Sequence, residues 1–300
     1  MSAMRIVSHW RSLLAFCALA LPVHAWATVL PCEFPEGART PTGLRLRIAE
    51  AACREHADWY APFINGDGRV GWQEGHVPME AEGGVERLAS GSAPWQRVAE
   101  YWRRTPALDN LRRANGAKEC EALSGVWQDS AACRSFILDH PWSAAFVSYV
   151  MKRAGVEDFA YSAEHIVYMR EAYASISPRK RYRLVAPGRE RPEVGDLLCY
   201  SREARVADYR GLIAFFEQGG GSLKTHCDIV VGVDLNGDSK LYTIGGNLMQ
   251  TVMMRKLPLN AAGRFVPQPK ADDDAPCRMN DERACSLNAK AWVALLKLRE

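Results

Sequence analysis

Residues 141–155 read PWSAAFVSYVMKRAG. Trp142, Phe146, Val147, Val150 and Met151 recur at the spacing that buries one helical face, and Lys152 and Arg153 fall in the last turn, where cations suit the dipole. Ser143 therefore stands in the first turn, where unpaired backbone N–H groups and the positive helix end favour a developing anion. Serine is also a preferred capping residue. Asp139 is a second candidate for that cap, since proline is favoured near the first helical position, and it would release the Ser143 hydroxyl for other work.

Outward from this helix the pattern changes. Apolar and polar residues at helical spacing predict a second helix near Ala163 to Ala174. Short apolar runs then predict strands at Asp196 to Tyr200, His226 to Val233, Lys240 to Ile244, Thr251 to Arg255 and Ala291 to Leu298. Asn236-Gly237-Asp238 between two of these runs is a hairpin signal. Val206 to Gln218 is amphipathic and reads as a packed helix or as a lid. Helices followed by an antiparallel meander make an α+β domain over residues 136–300. Upstream, Leu44 to Tyr60 and Trp95 to Trp102 show helical spacing, so residues 28–135 read as a helical extension.

His226 opens a strand after Gly219-Gly220-Gly221, at the mouth of a cleft rather than deep in a sheet, although a lone histidine is commonly a packed one. Asp228 shares its strand face, because residues two apart point the same way. It can back the imidazole or serve a structural contact, with Tyr149 for example. Asn247 follows Gly245-Gly246 and is either an orienter of the histidine or a turn residue. His165, from the second helix, Trp142 and Tyr149 are the candidate substrate-binding residues.

These stretches resemble papain-like amidases of the CHAP and NlpC type. The order GDLLCY at 195–200, THCDIVV at 225–231 and IGGN at 244–247, after a helix that opens on a small polar residue, is similar to their succession of nucleophile, histidine and orienting residue. The resemblance implies a papain-like α+β domain and hydrolysis of amide or ester bonds in envelope material, with a cell-wall peptide or glycan as partner. It implies Ser143 as nucleophile, His226 as base, and Asn247 or Asp228 as orienter. Ser143 stands where those enzymes carry cysteine. A serine must lose its proton as it attacks and needs a base stabilised by a carboxylate, which asparagine does not supply. The alternative is a non-catalytic peptide- or glycan-binding module on the same scaffold. The blocks YW at 101–102, PWSAAFVSYVM, FAYSAEH at 159–165, PEVGDLLCYSR, HCDIVV and IGGNLMQTV also resemble an uncharacterised bacterial family in which serine opens the helix.

The start of the chain bears on compartment. Arg5 and Arg11 precede the apolar run Leu13 to Val23, and Ala25-Trp26-Ala27 offers a cleavage site, so residues 1–27 read as a signal peptide and the mature protein as periplasmic or secreted. Removing Cys17 with that leader leaves eight cysteines, an even set that fits disulfides in an oxidising compartment. Order along the chain favours Cys120 with Cys133, Cys277 with Cys285 and Cys32 with Cys53, which leaves Cys199 and Cys227 on neighbouring strands.

With 38 basic and 35 acidic residues, and both leader arginines removed on processing, the mature chain is nearly neutral and carries no basic patch for nucleic acid. No cofactor is expected, and His165, His226 and Asp228 lack the tight spacing of a metal set. Asn65 to Glu74 partly matches an EF-hand loop, but Phe63 stands where the first acidic ligand belongs, and a tight turn is the simpler reading.

Overall fold

A computed structural model describes residues 32, 42–72, 81, 86–122, 130–175, 180–268, 279 and 285–299. The proposed leader lies outside them. The chain is a mixed α and β protein. Its helices are α1 (Gly43–Asp58), α2 (Pro94–Arg103), α3 (Ala117–Ala122), α4 (Ala131–Asp139), α5 (Ser143–Arg153), α6 (His165–Ala174) and α7 (Tyr209–Glu217). Its strands are β1 (Phe63–Ile64), β2 (Val70–Gly71), β3 (Tyr182–Val185), β4 (Leu197–Ser201), β5 (Thr225–Val233), β6 (Lys240–Leu248), β7 (Thr251–Pro258) and β8 (Ala291–Leu298).

The strands form one eight-stranded sheet in the order β2-β1-β7-β6-β5-β4-β8-β3. All pairings are antiparallel except β1 with β7. Period-2 alternation divides its residues between two faces. Cys199, Cys227, Ile229 and Ile244 pack with Ile48 of α1, Tyr101 of α2, Phe146 of α5 and Met169 of α6. Leu198, Tyr200, Val230, Leu257 and Leu295 form a second cluster on the other face with Phe265 and Trp292. The helical extension is thus not a separate body: α1 and α2 share the core of α5, and β1 and β2 lengthen the sheet.

Gly246 sets the distance between α5 and the sheet. A methyl group there would lie 2.5 Å from Phe146 Cβ, so glycine is what permits the close approach. At the other end of the sheet, Asp196 of the GDLLCY stretch is a latch. Its buried carboxylate accepts from Leu298 N at 2.9 Å, from Glu193 N at 2.8 Å and from Lys297 Nζ at 2.6 Å, tying the β4 entry to β8.

Several expectations resolve here. Val206 to Gln218 contains α7, a packed helix capped by Asp208 and buried through Leu212 and Phe216. Asp139 does not cap α5, because it is the last residue of α4, a helix the sequence reading missed. At Asn65 the side-chain oxygen accepts from the N–H groups of Asp67 and Arg69, which makes the segment a hairpin turn between β1 and β2; Glu74 lies outside the described residues. Disulfides join Cys32 to Cys53, Cys120 to Cys133 and Cys199 to Cys227, the last between directly opposite residues of β4 and β5. Cys285 is also disulfide-bonded, and Cys277 lies outside the described residues.

Candidate functional site

Ser143 is the first residue of α5 and its hydroxyl does not cap the helix. Trp142 occupies the cap position without a side-chain hydrogen bond, so the Ser143 hydroxyl is available, and it lies 2.7 Å from His165 Nε2. Local structure puts His165 there. Ser148 Oγ of α5 donates to Ser162 O and accepts from Ser162 N, which pins the incoming loop, and Ser162 Oγ accepts from Glu164 N, which starts α6 at His165. The other ring nitrogen of His165 contacts the Tyr168 hydroxyl one turn along α6. Both members of the pair are buried, Ser143 at 5% and His165 at 4% exposure. Burial, then the neighbouring His226 ring and the Arg202 charge, hold the His165 pKa well below the ordinary value, so its ring is neutral at pH 7.

His226 has other partners. Its Nε2–H donates to Asp228 Oδ1 at 2.8 Å, and its Nδ1 accepts from Arg202 Nη2 at 3.2 Å. Neither nitrogen is directed at Ser143. The corrected geometry has a simple cause. Asp228 does share the face of His226, as alternation requires, but that face carries Leu198 and Tyr200, their β4 partners in register, whereas α5 packs on the Cys227 face. The two groups come near each other where the β5–β6 ladder has no registered pair beyond Ile229↔Ile244 on the Gly245 side. There the rings of His165 and His226 lie 5.0 Å apart.

The His226 ring is held by Asp228, and no hydrogen bond joins it to Asn247. Both histidine nitrogens are engaged elsewhere, and Asn247, at φ +55°, lines a cleft. The carboxylate also accepts from Arg255 Nε at 3.0 Å, and Arg255 is fixed in turn by Leu287 O at 2.6 Å. Gly245 makes room for this pair, since a methyl group there would fall 2.0 Å from Asp228 Oδ1. Burial alone would raise the Asp228 carboxyl, but His226 and Arg255 outweigh it and hold it below the ordinary carboxylate value. Burial also dominates at His226 and lowers its pKa against the pull of Asp228, leaving a neutral imidazole between a carboxylate and a guanidinium. Tyr200 stacks on that ring at 5.0 Å.

Trp142 and Tyr149 are core residues rather than substrate contacts. Trp142 is fully buried, stacked on Trp59 at 5.8 Å and tilted against Tyr101. The Tyr149 hydroxyl accepts from Arg97 Nη2 at 3.2 Å within a cluster around Glu55, so it does not meet Asp228. Aromatic residues of α2 cover both, which helical spacing in α5 alone cannot reveal.

Above the His226 pair lies a cleft of about 400 Å³ whose lining includes Tyr200, Arg202, Asn247, Arg255 and Lys290. Neither arginine stands among the candidate site residues, yet Arg255 leaves a signal in the sequence. Met253, Arg255 and Leu257 share a strand face and are all buried, and a cation on a buried face requires a buried acid.

Residues 89–298 match a family described as "Uncharacterized protein conserved in bacteria (DUF2272)", and the chain belongs to it. No curated protein and no solved structure matches the chain.

Proposed function

We propose that this protein is a secreted, papain-like hydrolase of amide or ester bonds in cell-envelope material, with Ser143 as nucleophile and His165, rather than His226, as its base. The observation that carries the reading is the 2.7 Å contact between Ser143 Oγ and His165 Nε2 in the first turn of α5, where the helix leaves backbone N–H groups without intrahelical partners. The chemistry needs the tautomer in which His165 Nδ1–H donates to the Tyr168 hydroxyl and the Nε2 lone pair accepts from Ser143. The hydroxyl proton then passes to Nε2 as Oγ bonds to the carbonyl carbon, and Nε2 returns it to the leaving group. Water repeats the sequence in reverse to free the acyl group. Backbone N–H groups of the first turn face the developing oxyanion.

The magnitude of the rate follows from what stands behind the base. Tyr168 is a neutral group, its pKa raised by burial, and the Asp228 carboxylate is bonded to His226 and not to His165. Loss of a carboxylate behind a catalytic histidine costs about four orders of magnitude in a serine hydrolase, so slow turnover is expected. A second reading, a binding module for wall peptide or glycan, is favoured by the burial of Ser143 and by the cationic cleft on the opposite face of the sheet.

Turnover of purified peptidoglycan and of model esters separates the two. Wild type is expected to turn over slowly, Ser143→Ala and His165→Gln not at all, and Ser143→Cys faster than wild type, because a thiol is deprotonated more readily than a hydroxyl. Inert wild type and inert Ser143→Cys, with wall material still bound, would leave the binding module.

A further inference from the structure

The cleft over β4 and the β6–β7 turn has a charge balance that no residue so far described requires. Its described lining includes the guanidinium groups of Arg202 and Arg255 and no acid. Arg255 is committed to Asp228. Arg202 is exposed, gives one terminal nitrogen to His226 Nδ1, lies over the Tyr200 ring, and has no carboxylate partner among the described residues. A guanidinium carries five N–H donors in a planar fork that matches a carboxylate. Ile64, Leu248 and Leu287 give the wall an apolar stretch, beside the polar Ser201 and Asn247. The volume, about 400 Å³, is that of a small-ligand site.

We propose that this cleft binds a carboxylate with an apolar group beside it, as in an acyl amino acid or the C-terminal residue of a peptide, and that Arg202 is the fork that receives the carboxylate. Asn247 offers an amide at the rim. A bare phosphate makes no use of the apolar wall, and a neutral amide makes no use of the fork. Because Arg202 also holds His226 Nδ1, the occupant sits one hydrogen bond from the buried His226–Asp228 pair while touching neither Ser143 nor His165. The inference does not rest on turnover, since binding is read at equilibrium and an inert protein still tests it.

The experiment is calorimetric titration of the mature protein with N-acetyl-leucine, N-acetyl-leucinamide and inorganic phosphate. N-acetyl-leucine is expected to bind at least about tenfold more tightly than its amide or phosphate, and Arg202→Gln is expected to weaken it by about tenfold or more, the effect of losing a charge-assisted pair. Equal binding of acid and amide, an affinity untouched by Arg202→Gln, or phosphate bound as tightly as the acid would overturn the assignment. Should Arg202→Gln unfold the protein, salt decides: wild-type affinity for N-acetyl-leucine should fall as sodium chloride rises, and an affinity independent of salt would overturn the proposal.

Discussion

Asp228 holds a buried imidazole and a buried guanidinium with one carboxylate, and all three side chains are closed off from solvent. Removing one partner of such a cluster strands the others, which is worse than never having built it. Asp228→Ala is therefore expected to destabilise the fold by about 3 to 5 kcal/mol in urea denaturation. A loss under about 1 kcal/mol, the scale of an exposed ion pair, would show that the cluster contributes little. The pairing of Asp228 with His226 was legible from residue spacing alone, since two residues apart on a strand share a face. The partner of Ser143 was not. His165 lies 22 residues away on another helix, and its approach depends on the Ser148–Ser162 tether, which no periodicity reports.

The elements fall close to their predicted ranges wherever hydrophobic period was strong. The helix read from the stretch 141–155 spans Ser143–Arg153, and the strand read at Ala291 to Leu298 is β8. Elements outside those ranges include β1 and β2, of two residues each, and α4, which ends on Asp139 where a cap is expected from the sequence. Gly245-Gly246, which can be read as a turn, belongs to β6 and is where the helix and the carboxylate cluster both press against the strand. Gly246→Ala is expected to force α5 away from β6 and lower stability by about 1 to 3 kcal/mol, as overpacking of a filled core does. Urea denaturation checks this, and unchanged stability would mean that the α5–β6 contact yields freely.

At the scale of the whole molecule, three buried histidines bias stability with pH. Burial lowers the His56 pKa to about 4, against the pull of its hydrogen bond with Pro62 O, and burial also lowers His165 and His226. The unfolded chain takes up protons on all three near pH 6.5, while the folded chain resists. Stability is thus fully present above about pH 6.5 and declines as pH falls toward 4, with His56 alone accounting for about 3 kcal/mol of the decline. Asp228 adds nothing in that window. Its pKa is depressed, so its contribution is lost only as pH falls below the unfolded carboxylate value of about 3.9. Urea midpoints at pH 7.5 and 4.5 test the decline, and equal midpoints would mean that the three rings charge without loss of the fold. Every described cysteine is disulfide-bonded, and no helix among the described residues is long and apolar enough to cross a membrane.

The pairing of Ser143 with His165 is open to one direct measurement: covalent labelling of the mature protein by a fluorophosphonate, with the modified residue located by mass spectrometry. A serine activated by a neighbouring imidazole reacts with such a reagent and an ordinary hydroxyl does not. The account predicts labelling at Ser143 in wild type, labelling retained in His226→Gln to the extent that the variant stays folded, and none in His165→Gln. No adduct at Ser143 in wild type, or an adduct undiminished by His165→Gln, would contradict it.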